Sequence, residues 1–227
     1  MSEVAVPKIK GVIFDLDGTL YQMRWYLRPL LTIKIFPHIL RLPRFLHERN
    51  KFAGLDMGSR PALMIAIGKA LAIAEKADPD KMIEWIENQF YPSFLNVMPF
   101  FRDSRPKIDS TLIRLRDANM RMAVLSDYSL VKERVEKLGL NTSYFDILES
   151  SENSGALKPS PLPFLAIASQ WNLSSSEIVV VGDRDDTDGA AARNAGMQFI
   201  GVCDSPSKNE TFNCWDDVCS KLLSFCK

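Results

Sequence analysis

The chain has 227 residues, 46% of them hydrophobic, enough for one large domain or a core with a smaller unit. Its 28 basic residues balance 28 acidic ones, so the footprint of a general nucleic-acid binder is missing and no nucleic-acid partner is expected. The start, MSEVAVPKIK, lacks a basic run followed by a long apolar one, and no uncharged apolar stretch reaches the ~20 residues that span a bilayer, so neither a secretory signal nor a transmembrane segment is expected.

The first element is KGVIFD, residues 10–15, an apolar run that reads as a buried strand. Asp15 and Asp17 then bracket one residue, Gly18 permits a tight turn, and Thr19 supplies a hydroxyl. Read locally, this is an Asx-type turn after a strand. The next stretch, about 21 to 100, reads as helical. It holds one helix over 60–77, with Ser59 as cap and Pro61 in the first turn, and another over 78–91, with Asp78 before Pro79. An insertion of ~80 residues is too long for a connection. It is expected to be a second domain, 21–100, standing over a core made of 1–20 and 101–227.

Within that insertion, residues 22–51 carry Arg24, Arg28, Lys34, Arg41, Arg44, Arg49 and Lys51 against a single acid, Glu48. Such a segment suits an anionic surface or an anionic substrate tail, and equally an ordinary helix with a solvated basic face. Pro37 and Pro43 argue against one continuous helix. His38 and His47 are expected in packing or surface roles. Arg24 and Arg28 are candidates for substrate contact because they follow the Asp15–Gly18 turn closely.

From 108 onward helices and strands alternate. A helix over 108–118 precedes a strand over 120–127 that ends in Ser126 and Asp127. A helix over 129–139 follows, with Ser129 able to cap it and Gly139 to end it. Then come a strand over 144–150, a helix over 160–172 opened by Pro161, a strand over 177–183, a helix over 188–196 and a strand over 197–202. This alternation predicts the α/β class: a doubly wound parallel sheet with helices on both faces. Ligands bind such sheets at the carboxyl ends of the strands. Three of those ends carry Asp15, Asp127 and Asp183. The segment GDRDDTDG adds Asp185, Asp186 and Asp188, a crowd of like charges that calls for a cation. The four cysteines, Cys203, Cys214, Cys219 and Cys226, form no CxxC pair and have no histidine nearby, so reduced thiols and a cytoplasmic location are expected.

Four segments in this order resemble the motifs of the haloacid dehalogenase superfamily, especially its phosphoglycolate phosphatase-like members with a helical cap after the first motif. They are FDLDGTLY, VLSD at 124–127, Lys158 in GALKPSPLPF, and VVVGDRDDTDGAAARNAGM. The resemblance implies a Rossmann-like core with an all-helical cap, and a Mg2+-dependent phosphatase for a small phosphorylated metabolite such as phosphoglycolate or a sugar phosphate. It implies Asp15 as nucleophile, Asp17 as general acid and base, and Lys158 as a cation on the phosphoryl oxygens. Ser126 and Asp127, the latter through its backbone amide, would bind the phosphoryl group, with Thr19 as a further contact. The metal ligands implied are Asp15, the backbone carbonyl of Asp17, Asp183 and a second acid, Asp188 with Asp186 as alternative. Asp188 would orient Lys158 or reach the metal through water. Asp185 reads as a solvated charge or a partner of Arg184. Dehalogenase members lack an acid at the position of Asp17, which favours a phosphatase or a phosphomutase. A non-catalytic phosphate-binding or regulatory module is the reading from another class.

Overall fold

The computed structural model describes residues 8–36, 38–102, 105–204 and 212–226. Strand β1 (Gly11–Phe14) leads into the insertion, whose helices are α1 (Leu27–Lys34), α2 (Arg41–Asn50), α3 (Arg60–Glu75), α4 (Pro79–Trp85) and α5 (Tyr91–Val97). The chain then alternates: α6 (Ile108–Asp117), β2 (Arg121–Ser126), α7 (Val131–Lys137), β3 (Ile147–Ser150), α8 (Leu162–Trp171), β4 (Ile178–Gly182), α9 (Ala190–Asn194) and β5 (Gln198–Val202). A short β6 (Phe212–Asn213) and α10 (Trp215–Ser224) follow. Every strand pairing is parallel, in the order β3-β2-β1-β4-β5-β6.

The apolar runs of β1 and β4 are buried on both faces, as a parallel sheet requires. Successive residues serve different sides. Val12, Phe14, Val179 and Val181 pack with α6, α7, α10 and the cap, whereas Ile13, Ile178 and Val180 pack with α8 and α9. The fold is thus the expected doubly wound sheet with a helical cap between β1 and β2. The register sets Phe14 between Val124 of β2 and Val181 of β4. The residues that follow these three strands therefore meet at one edge of the sheet.

Several expectations are revised. Ser129 does not cap α7. Leu130, at φ +60°, precedes the helix, and the Ser129 hydroxyl donates to the Glu152 carboxylate instead. The helix expected over 78–91 runs on through α5, interrupted by a wide turn over Ile86–Phe90 in which Tyr91 N–H bonds to Ile86 O. The adjacent Pro92 has no N–H to offer a regular turn. The third strand is shorter than expected, because Thr142–Tyr144 forms a tight 3-10 turn. Ser59 and Asp78 do cap α3 and α4. Helices α1 and α2 are separate. Pro43 sits in the first turn of α2, where a missing N–H costs nothing, and Pro37 lies outside the described residues. No helix among the described residues is long and apolar enough to cross a membrane.

Candidate active site

Asp15 leaves the end of β1, and its backbone N–H bonds to Val181 O at 2.8 Å, which ties it to β4. Its side chain is almost fully buried. Lys158 Nζ donates to Oδ1 at 2.7 Å and Thr19 Oγ1 to Oδ2 at 3.0 Å. Lys158 also donates to Asp188 Oδ1 at 2.8 Å. Carboxylate oxygens of Asp15, Asp183 and Asp188 all lie within 4.8 Å of one another. Burial, opposed by Lys158, pushes the Asp15 carboxyl well above the usual range, and the carboxylates of Asp188, Asp183 and Asp17 push it further. Burial, then Asp188 and Asp17, raise Asp183 to about 7. Burial alone would lower the pKa of Lys158, yet Asp15 and Asp188 raise it and hold the ammonium charged. One ammonium among three crowded carboxylates leaves net negative charge in a buried pocket. A donor set of hard carboxylate oxygens of this kind fits a divalent cation.

Two glycines make the crowding feasible. Gly18 has φ +92°, and a Cβ there would lie 2.1 Å from Asp183 Oδ2. A Cβ on Gly182 would lie 2.4 Å from Asp188 Cβ. Only glycine lets the first loop and the β4 loop approach this closely.

The loop after β4 sorts its four acids. It runs through a wide turn over Asp185–Gly189, in which both Asp188 N and Gly189 N bond to Arg184 O. It buries Asp188, whose second oxygen accepts from Arg184 N at 3.3 Å. Asp186 points to solvent and pairs with Arg184 at 2.6 Å. Asp185, expected as a solvated charge or a partner of Arg184, is partly exposed and pairs with Arg193 at 2.8 Å, while Arg184 is taken by Asp186. The fold therefore brings Asp188, and not Asp186, to Asp15 and Lys158.

Asp17 has its own surroundings. Its carboxylate accepts from Tyr21 OH at 2.6 Å, from Ser126 Oγ at 2.9 Å, and from the buried Arg134 guanidinium. Burial would raise its pKa. The Arg134 charge and the three donors outweigh that and hold the carboxyl below its usual value. Ser126 also takes a hydrogen bond from Arg134 at 3.0 Å and one from Tyr128 N at 3.1 Å. Asp127 turns its carboxylate to Ser151 Oγ, at 2.5 Å, and to Lys158 N, at 3.1 Å. It thereby fixes the backbone from which Lys158 reaches Asp15. The hydroxyl of Thr19, beside the cavity floor, donates to Asp15.

Sequence reasoning missed several residues around this site. Arg134, buried at 1% exposure, is one. Arg105 is another: it holds the carbonyls of Gly18 and Thr19 and pairs with Asp204. A third group joins cap to core. Arg49 of α2 bonds Glu152 at 3.0 Å, reaches the Asp127 carbonyl and lies 4.3 Å from the Tyr128 ring centroid. Tyr91 of α5 donates to the same Glu152, which is fully buried. Arg134 had a visible signal, since it lies on the helical stripe of Val131, Val135 and Leu138, where an apolar residue is the default. Nothing in the SENSG segment marks Glu152.

A cavity of about 890 Å³ opens above these groups, between the strand ends and the cap. Asp15, Asp17, Lys158, Asp183 and Asp188 lie at its floor, and side chains of α1, α2 and α5 form its walls.

A family model described as haloacid dehalogenase-like hydrolase matches residues 9–196. A glyceraldehyde 3-phosphate phosphatase from Methanopyrus kandleri is 32% identical over 206 residues, covering 86% of this chain and 84% of that protein. A phosphoglycolate phosphatase from Neisseria meningitidis is 26% identical over 214 residues, covering 87% of this chain and 82% of that protein. Among solved structures, an HAD phosphatase from Thermococcus onnurineus superposes with a TM-score of 0.63 at 17% identity, covering 94% of this chain and 98% of that one. A 2-haloacid dehalogenase from Pseudomonas syringae pv. tomato does so at 0.62 and 23%, covering 95% and 98%. At those identities the likeness is one of fold.

Proposed function

This chain belongs to the haloacid dehalogenase-like hydrolases, and we propose that within that family it is a Mg2+-dependent phosphatase acting on a small phosphomonoester through an aspartyl-phosphate on Asp15. The observation that carries the reading is the setting of Asp15, a buried carboxylate at the cavity floor, bonded to Lys158 and grouped with Asp183 and Asp188. The names of the relatives, phosphatases of phosphoglycolate and glyceraldehyde 3-phosphate, support the substrate class. Asp17 separates the reading from a dehalogenase, whose motif lacks that acid.

In this mechanism an Asp15 oxygen forms a bond to phosphorus while the bond from phosphorus to the leaving oxygen breaks. Asp17 gives a proton to that oxygen, and then takes one from the water that hydrolyses the aspartyl-phosphate. Held by Arg134, Tyr21 and Ser126, Asp17 is an anion suited to the second step; the first requires that it be released from Arg134 and protonated. Lys158 places its charge against the phosphoryl oxygens, and Asp188 and Asp127 keep it aimed. A bound Mg2+, held by Asp15, Asp183, the Asp17 carbonyl and, directly or through water, Asp188, would screen the two anions that must meet.

The test is release of inorganic phosphate from a panel of phosphomonoesters with and without Mg2+. Turnover that needs Mg2+ and vanishes in Asp15→Asn is expected. No turnover of any ester, or equal turnover by the variant, would sink the reading.

A further inference from the structure

We infer that the substrate has a large leaving group that carries a second anionic group, received by Arg24 and Arg28. The inference rests on the phosphatase reading above and extends it to the far end of the substrate.

The cavity volume, about 890 Å³, lies high in the range of about 300–1,000 Å³ that encloses drug-sized ligands. A phosphoryl group on Asp15 would occupy only the floor. Two parts of the walls above it stand out, beside His47, Arg49, Asn50 and Arg184. Leu27, Leu31 and Leu42, buried in the cap, form an aliphatic side with Phe90 and Phe94 beyond. Arg24 and Arg28 also line the cavity, and neither guanidinium has a hydrogen-bond or ion-pair partner among the described residues.

That isolation separates them from other bases of the cap. Arg41 and Arg44 share Glu75, Lys51 pairs with Glu48, and Arg49 pairs with Glu152. The acidic floor does not use Arg24 and Arg28 either: Asp17 is taken by Arg134, and Asp15 and Asp188 by Lys158. Two free guanidinia beside a cavity present planar forks of donors, which match a carboxylate or a phosphate. A two-carbon acid such as phosphoglycolate would leave most of the apolar wall uncovered. A leaving group with an apolar body between the reacting phosphoryl and a distal anion covers the wall and meets both arginines.

The test uses non-hydrolysable phosphonates in the presence of Mg2+, measured by calorimetry. The series starts at phosphonoacetate and lengthens, with a neutral, a carboxylate or a second phosphonate end at each length. The corresponding phosphate esters are assayed in parallel. Affinity should rise with length, and at the longer lengths an anionic end should beat a neutral one by at least about tenfold, the scale of one charge-assisted hydrogen bond. The carboxylate and phosphonate arms tell which anion is preferred. In the Arg24→Gln, Arg28→Gln double variant the ratio of anionic to neutral affinity should fall to near one. Both positions are exposed, so the thermal midpoint reports whether the fold is retained. Tightest binding by phosphonoacetate, a ratio near one in the wild type, or a ratio kept in the double variant would overturn the inference. Failure of every ester to turn over would sink the phosphatase reading alone, because the binding series still decides the second anionic group.

Discussion

Arg134 and Asp17 stand 117 positions apart in sequence and form an ion pair inside the protein, with side-chain exposures of 1% and 13%. Removing one partner leaves the other charge buried and uncompensated. Arg134→Met is therefore expected to cost about 3–5 kcal/mol of stability, read from urea denaturation. A cost within about 1 kcal/mol would mean that water already solvates Asp17, as at a surface pair.

The acids of the β4 loop should separate cleanly. Asp188→Asn removes a buried acceptor of Lys158 and a member of the carboxylate cluster. It should abolish measurable Mg2+ binding and lower kcat by roughly a hundredfold or more, the scale of one lost electrostatic contact at a reacting group. Asp186→Asn breaks only a solvent-exposed pair with Arg184 and should change stability by less than about 1 kcal/mol, with kcat unchanged. Steady-state kinetics and calorimetry on the two variants check this, and the reverse pattern would reassign the second acid.

Metal binding should depend on pH in a defined direction. The Asp183 carboxyl, raised to about 7 without a metal, is protonated below that pH, and a metal must displace the proton. Mg2+ affinity should therefore rise by about tenfold per pH unit up to about 7 and then level. The sign for the metal-free fold is opposite. A carboxyl whose folded pKa lies above its unfolded one binds more protons when folded, so its contribution to stability falls as pH rises from about 4 to 7. The thermal shift produced by Mg2+ should accordingly be larger at pH 8 than at pH 6. Equal shifts at both would disprove the linkage.

The Arg49–Glu152 pair predicts how firmly the cap is seated. Glu152→Gln leaves Arg49 buried against a neutral amide and keeps the shape of the site. A loss of about 3–5 kcal/mol is expected in denaturant. Hydrogen exchange should quicken first in α2 and α5, which supply Arg49 and Tyr91. Unchanged exchange in those helices would show that the pair does not hold the cap.

The sheet was legible because its signals are local. The central strands are largely apolar runs, and the motifs at Asp15, at Ser126 and Asp127, and at Asp183 sit at strand ends. The same locality placed Asp15 and Asp183 at strand ends, whereas Lys158 was singled out only through the resemblance. Arg134, Arg105 and the Arg49–Glu152 pair were not legible, because each is defined by a partner more than 80 positions away and no spacing rule connects them. The sequence favoured Asp188 with Asp186 as alternative, and the wide turn at Asp185–Gly189 is what turns Asp188 inward and Asp186 out. The second half of the basic segment was legible in part. Arg44 and Lys51 are exposed, as a solvated basic face requires, whereas Arg49 is buried; the acids that pair with Arg41, Arg44 and Arg49, Glu75 and Glu152, lie far along the chain.

Arg49 of the cap holds the carbonyl of Asp127, and the carboxylate of the same Asp127 holds the backbone N–H of Lys158. A ligand that draws the cap down and one that fixes Lys158 therefore act on a single mechanical link. Reciprocity follows: whatever free energy the seated cap lends to the lysine's position, a positioned lysine must return to the cap. Loosening either end would be felt as slack at the other, so a cap variant far from Lys158 would still shift how firmly that lysine is held.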